Sequence, residues 1–373
     1  MRVAIINHGI FPFLMGGMER HTHFLATHMA ALGAEVEVVI PALEPDQAAA
    51  FAAAGNPYKL TQFPWPQSRL WLRANYLFSK LAAPHLAAGN FDAVYCQGFN
   101  GWAYLAGKGP KALTLYNPHG LEMFKTVGLT QTLKSLPMRW AGRKQARLAD
   151  RTVSLGGGMT QEVRDFLGVP DDKVDVLPNA VDLDYIDSFP AGTRPEPGPA
   201  RFVFVGRLEH NKGVAYLCEA FAGIEGAHLT IVGSGPLGDD LKARFAGPSI
   251  EFAGRLDDAE LFARYHASDG FIFASLYEGM PTVILEAMAC RLPVIATDIG
   301  AVTTMVGKDN GFVVAPGSSE ALAQAIRAFL ALPTDAREGM GEVSRRRVEA
   351  RFTWQQVARA TLDTIERRLR VRA

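Results

Sequence analysis

Residues 1–40 read MRVAIINHGIFPFLMGGMERHTHFLATHMAALGAEVEVVI. MRVAIIN is a short run rich in Val and Ile, HGIFPFLMGGM is a glycine-containing loop, ERHTHFLATHMAAL has helical apolar spacing, and AEVEVVI is a second strand. This is a β-loop-α-β unit. FDAVYCQ, KALTLYNP, RTVSLG and VDVLP continue the pattern, so the first half is expected to form an open, mostly parallel sheet with helices on both faces. Ligands of such sheets sit at the carboxyl ends of the strands.

The periodicity lapses in PNAVDLDYIDSFPAGTRPEPGPA, where Pro and Gly accumulate. Strand and helix then alternate again, from RFVFVGRL and GVAYLCEAFAGI through AHLTIVGSG, DDLKARFA, IEFAGRL, ELFARYHASD, GFIFAS and TVILEAMAC to PVIATD. The fold class read from this is α/β with two layered units. The division is an N-terminal domain at 1–184, a linker at 185–199, a C-terminal domain at 200–350, and a helix at 351–373 expected to pack back toward the N-terminal domain. A length of 373 residues suits two such domains.

Lysines and arginines total 38, equal to the acidic residues, so global charge gives no reason to expect nucleic acid or an anionic membrane as partner. No apolar run is long enough to span a bilayer, and MRVAIINHG lacks the features of a signal peptide, which leads to the expectation of a cytoplasmic protein. Cys96, Cys218 and Cys290 lie far apart among apolar or small neighbours, which suits buried thiols in a reducing compartment.

EGMPTVILE, residues 278–286, carries two glutamates eight positions apart. On one continuous helix they would lie about 12 Å apart along the axis and roughly 80° around it, a poor match to the carboxyl pair of a glycoside hydrolase. Pro281 instead suits the first turn of a helix, leaving Glu278 in the loop before it and Glu286 on its second turn. Between them lie free N–H groups, approached through Gly279, that attract phosphate. The order acceptor, anion site, acceptor matches a nucleoside diphosphate sugar, with Glu278 on the sugar and Glu286 on the ribose. The bland alternative is a loop charge and a surface helix residue. VGRLEHNKG adds two cations, Arg207 and Lys212, and IVGSGP adds Gly233 and Gly235 at another strand end.

These residues resemble the glycosyltransferases of family 4, whose GT-B fold places two Rossmann-like domains face to face across a cleft. The resemblance rests on VGRLEHNKG, IVGSGPLGDDL, SLYEGMPTVILEAMACRLPVIATDIGA, PNAVDLDYI, the PHG at 118–120 and the MGG at 15–17. It implies that Arg207 and Lys212 bind the donor pyrophosphate, Glu278 touches the transferred sugar, Glu286 holds the ribose, and Gly16 and Gly17 close over the diphosphate. Gly233, Gly279, Met280, Pro281 and Thr282 complete the donor set, and His119 lies beside sugar and acceptor. Retention of anomeric configuration is implied too, with the departing phosphate taking the acceptor proton. The resemblance calls for a UDP-sugar donor, a glycan or lipid-linked acceptor, and no metal or other cofactor. Arg291 stands where glycine is frequent, Ala301 where a second glycine is common, and VTTMV lacks a frequent glutamate. Competing readings are a GT-B isomerase such as a UDP-sugar 2-epimerase and a non-catalytic nucleotide-sugar-binding subunit.

Four further segments draw attention. Asp182 and Asp184 form a DxD, a metal-binding pattern elsewhere, here set at the start of the linker. His21, His23 and His28 lie on the first helix and are read as solvated imidazoles. LGGGM, residues 155–159, is read as a flexible turn. FPWPQSRLWLRANYLFSKLAAPHL, residues 63–86, is aromatic-rich with Arg69, Arg73 and Lys80 interspersed, either an amphipathic helix packed on its own domain or an interfacial segment serving a lipid-linked acceptor. The basic tail is read as a solvated helix face that could alternatively meet phosphate or lipid.

Overall fold

The computed structural model describes residues 1–107, 112–126, 128–190 and 198–372. The chain divides into two compact units, Met1–Asn179 with Trp354–Ala373, and Ala180–Thr353.

The first unit is built on seven strands: β1 (Arg2–Ile6), β2 (Glu35–Pro41), β3 (Lys59–Phe63), β4 (Ala93–Gln97), β5 (Leu113–Asn117), β6 (Arg151–Ser154) and β7 (Val174–Val176). They run parallel in the order β3-β2-β1-β4-β5-β6-β7. Val3 to Ile6 are fully buried, as expected of a strand covered by helices on both faces. The order reverses beside β1, which puts the loops after β1 and β4 at the switch point where such sheets bind ligands. β3 escaped the sequence reading because KLTQF, on the sheet edge, has a polar, half-buried pattern.

The second unit repeats the plan with six parallel strands: β8 (Ala200–Val205), β9 (Ala227–Val232), β10 (Ile250–Gly254), β11 (Gly270–Phe273), β12 (Val294–Thr297) and β13 (Gly311–Val314). Their order is β10-β9-β8-β11-β12-β13, with the switch between β8 and β11. Phe202, Phe221 and Phe329 fill the core beside β8, their rings meeting edge to face. The four-residue β13 was not anticipated.

Two boundaries differ from the sequence reading. Leu183–Asp187 is a helix and already belongs to the second unit, where Arg345 clamps Asp187 through two 2.7 Å hydrogen bonds. Residues 191–197 of the expected linker lie outside the described residues. Asp182 of the DxD caps that short helix, its Oδ1 accepting from the Tyr185 amide at 3.0 Å. The tail forms two helices, Thr334–Arg351 and Trp354–Arg372. At the break the Phe352 carbonyl accepts from the Val181 amide at 2.9 Å. Trp354 is then buried in the first unit against His21 and Phe24, and Arg368 reaches Asp175 at 2.9 Å beside Arg151.

Arg291 has φ of 59°, just past the helix Thr282–Ala289, where a left-handed residue usually closes a helix and glycine fits best. A side chain there costs about 1–2 kcal/mol, partly offset by the freedom glycine loses on folding. Its guanidinium pairs with the exposed Glu342 carboxylate at 2.9 Å, worth little in water. Arg291→Gly should therefore raise the unfolding free energy by about 0.5–1 kcal/mol in a denaturant titration; a lowered midpoint would show that the arginine is required there.

Candidate active site

In the second unit the loops leaving the strand ends are held together by main chain. Leu208 donates to Ser234 O and accepts from Leu237 N, both at 3.0 Å, joining the loops after β8 and β9. Leu276 donates to Asn211 O at 2.8 Å, joining the loops after β11 and β8. Gly233 has φ of 134°, and a Cβ there would stand 1.9 Å from the Gly206 carbonyl oxygen, so no other residue fits. At Gly300, φ is 51° and a Cβ would lie 2.2 Å from the carbonyl oxygens of both Glu278 and Gly279. The Ala301 amide donates to Gly279 O at 2.8 Å, completing that strap.

The Lys212 ammonium forms an ion pair with the Glu278 carboxylate, both side chains about one-fifth exposed. Arg207 behaves differently. It is 74% exposed and pairs with Glu209 at 2.5 Å, leaving its guanidinium at the surface near the same loop. The helix begins at Thr282, with Pro281 at the N-cap position (φ −73°), one step earlier than the first-turn placement read from sequence. Gly279 and Met280 are buried in the turn before it. Glu286, on the second turn, accepts a long 3.4 Å hydrogen bond from the buried Tyr265 hydroxyl. Burial foremost, then the Glu286 charge, holds the Tyr265 phenol well above its ordinary pKa, so it remains a donor. One stretch thus carries a cation-paired acid, the amides of a helix start, and a second acid held by a phenol.

In the first unit, Gly16 is the N-cap of the helix Gly17–Ala31. The buried Glu19 carboxylate folds back toward it, 2.1 Å from where a Gly16 Cβ would be, and pairs with His8 Nε2 at 3.1 Å. Gly17 has open space where a side chain would stand. His119 follows β5 with φ of 59°, a left-handed conformation rare outside glycine and common at functional positions. Its amide donates to Asn117 Oδ1 at 2.9 Å, and its Nε2 hydrogen-bonds Gln97 Oε1. The Gln97 amide nitrogen donates to His21 Nδ1 at 3.1 Å, and the two imidazoles meet edge to face at 4.8 Å. Burial lowers the His21 pKa to about 3. Burial, then His21 and His8, lowers His119 well below its ordinary range.

His21 is therefore not the solvated surface imidazole expected from the helix pattern. It is 2% exposed, packed among the rings of Tyr95, His119 and Trp354. His23 and His28 are partly buried, with Tyr58 Oη and the Phe24 carbonyl as partners at 2.8 Å. The helix faces the sheet and the C-terminal helix, which the local sequence does not reveal.

Two family models match the chain, glycosyltransferase family 4 over residues 15–185 and glycosyl transferases group 1 over residues 199–331. The chain belongs to glycosyltransferase family 4. Over 97% of its length it is 27% identical to a Mycobacterium tuberculosis glycogen synthase, of which it covers 93%. It is 37% identical to a putative teichuronic acid biosynthesis glycosyltransferase of Bacillus subtilis over 34% of this chain and 32% of that one. The GT-B fold of this glycosyltransferase matches sucrose-phosphate synthase from Thermosynechococcus elongatus with a TM-score of 0.80 at 20% identity over the whole of both chains. Anabaena HepE in complex with UDP matches with a TM-score of 0.71 at 17% identity, over 98% of this chain and 100% of that one.

The structure brings Lys212 and Glu278 together and places Gly233, Gly279, Met280 and Pro281 on strand-end loops of the same unit, with Thr282 and Glu286 on the helix that follows. Gly16, Gly17 and His119 lie in the other unit. Sequence reading missed Gln97, Tyr265 and Gly300. Gln97 had a usable signal, a polar residue at the carboxyl end of a buried parallel strand; Tyr265 is remote in sequence and had none.

Because His21 takes up its proton near pH 3 when folded and near 6.5 when unfolded, its share of stability is complete above 6.5 and is lost as pH falls toward 3. The slope can reach about 1.4 kcal/mol per pH unit. His21→Gln should flatten the pH dependence of the denaturant midpoint across that window; an unchanged slope would mean the imidazole is solvated.

Proposed function

We propose that this glycosyltransferase moves a sugar from a uridine diphosphate sugar to a hydroxyl of a glycan or lipid-linked acceptor, with retention of configuration. The setting is cell-envelope polysaccharide or glycolipid synthesis in the cytoplasm, at the inner face of the membrane. The observation that carries this reading is the Lys212–Glu278 pair immediately before the helix start at Thr282. One structural neighbour, Anabaena HepE, is known in complexes with UDP and with UDP-glucose, which supports the uridine nucleotide.

In this reading the second unit holds the donor. The helix-start amides and Lys212 receive the diphosphate, and Arg207 swings from Glu209 to join them. Glu278 accepts from sugar hydroxyls, and Glu286 accepts from the ribose while Tyr265 fixes its orientation. Gly233 keeps the floor of this site free of side chains, and Gly279, Met280 and Pro281 shape the turn. In the first unit His119, neutral because it is buried, is the candidate contact for the acceptor, and Gly17 leaves a helix start open to close approach. The C1–O bond to the diphosphate breaks as the acceptor oxygen bonds to C1 on the same face, and the departing phosphate takes the acceptor proton. Charge is neutralised by protein cations, so no metal is required.

Product analysis with a UDP-sugar and envelope-derived acceptors should give an anomer matching the donor, and turnover should survive EDTA. Lys212→Ala should lower kcat by about 10²–10³-fold with little change in the unfolding midpoint. An active Lys212→Ala enzyme, an inverted product or strict metal dependence would each overturn the corresponding part of the reading.

A further inference from the structure

The helix Leu129–Leu148 carries a stripe that the sequence reading passed over. Leu129, Leu133, Leu136 and Trp140 are spaced four, three and four residues apart, hence on one helical face, and are 77%, 56%, 49% and 55% exposed. An ordinary surface helix turns such a stripe inward. Beside it, the aromatic segment singled out in the sequence forms the helix Trp71–Ala88, which exposes Trp71, Tyr76 and Leu81, with Leu70 just before it. The two helices bound a groove of about 660 Å³ floored by Trp102. Among the described residues the second unit exposes one large apolar side chain to a similar degree, Val313. Nine of the fifteen large apolar side chains exposed among the described residues lie on these two helices or at Leu70, so they carry most of the exposed apolar surface.

Charge is concentrated with it. The two helices hold Arg73, Lys80, Lys134, Arg139, Arg143, Lys144 and Arg147 and no acidic residue, in a chain whose formal net charge is zero. Among the described residues none of the seven forms an ion pair. Arg139 and Arg143 reach main-chain carbonyls of their own unit, and Lys144 lies 4.8 Å over the Trp140 ring. Elsewhere several arginines are matched, as Arg151 is with Asp175 and Arg345 with Asp187.

We propose that this face seats the enzyme on an anionic lipid bilayer, with the leucine stripe and indole rings at the headgroup level and the lysines and arginines on the lipid phosphates. Tryptophan and tyrosine favour that depth, and each basic residue near an anionic leaflet adds about 1 kcal/mol of attraction. No helix among the described residues is long and apolar enough to cross a membrane, so the contact is peripheral. A second copy fits poorly, because a two-fold contact would set two wholly basic faces against each other. A nucleic acid would meet the cations but leave the exposed leucines without a partner. The inference gives the membrane-side acceptor of the proposed function a docking surface; it rests on that reading for the acceptor alone.

Flotation with vesicles of phosphatidylcholine plus phosphatidylglycerol, and with phosphatidylcholine alone, tests it on the full chain. The protein should float with the anionic vesicles, less so as salt rises, and not with the neutral ones. Leu133→Ser with Trp140→Ser, and separately Lys134→Glu with Lys144→Glu, should each weaken anionic-vesicle binding by about tenfold or more. UDP affinity, measured by calorimetry on the same variants, should be unchanged, which separates this claim from the donor site. Absence of flotation, flotation unaffected by both variants, a concentration-dependent dimer abolished by Leu133→Ser, or stronger retention by single-stranded nucleic acid than by vesicles would overturn it.

Discussion

The Lys212–Glu278 ion pair joins two loops that leave different strands of one sheet, and the strand-end loops of the second unit are organised around it. Its partners are part-buried, so neither charge is lightly abandoned. The main chain around it is equally constrained. Gly300 brings the next loop against the carbonyls of Glu278 and Gly279, and Leu276 bonds Asn211 next to Lys212. A cation, an acid and the start of the Thr282 helix are thereby fixed on rigid strand ends, and a pre-set arrangement is what stabilising a leaving diphosphate requires.

The first unit meets a different requirement with different physics. His21 and His119 are kept neutral by burial and locked by one glutamine, Gln97, whose amide accepts from one ring and donates to the other. This gives orientation without charge. The acid at the helix start, Glu19, is matched by His8 and folds back toward Gly16. The ring cluster is closed by Trp354, contributed by the last helix of the chain, which makes residues more than 300 apart in sequence part of one core.

Much of this was legible in the order of residues. The alternation of Val- and Ile-rich runs with helical periodicity implied both parallel sheets, because strands covered on two faces must be apolar along their length. EGMPTVILE placed a loop acid, a helix start and a helix acid in the right order, since proline and glycine constrain backbone locally. Edge strands such as Lys59–Phe63 and Gly311–Val314 were missed because half-exposed strands carry little pattern. His21 was misjudged because helical spacing shows which residues share a face but not what covers it. The exposed stripe on Leu129–Leu148 was hidden for the same reason: from sequence it resembles a core-facing side. Arg291 shows the opposite case, where a departure from a glycine-rich pattern corresponds to a measurable positive φ.

The central claim is that the turn and helix start at 278–286, with Lys212, receive a nucleoside diphosphate. Hydrogen exchange followed by mass spectrometry, with and without UDP, tests it most directly. Binding should slow exchange in peptides covering 206–213 and 278–286 and leave the edge strand Lys59–Phe63 of the other unit unaffected. Saturating UDP with no protection at 278–286, or protection confined to other loops, would contradict the account.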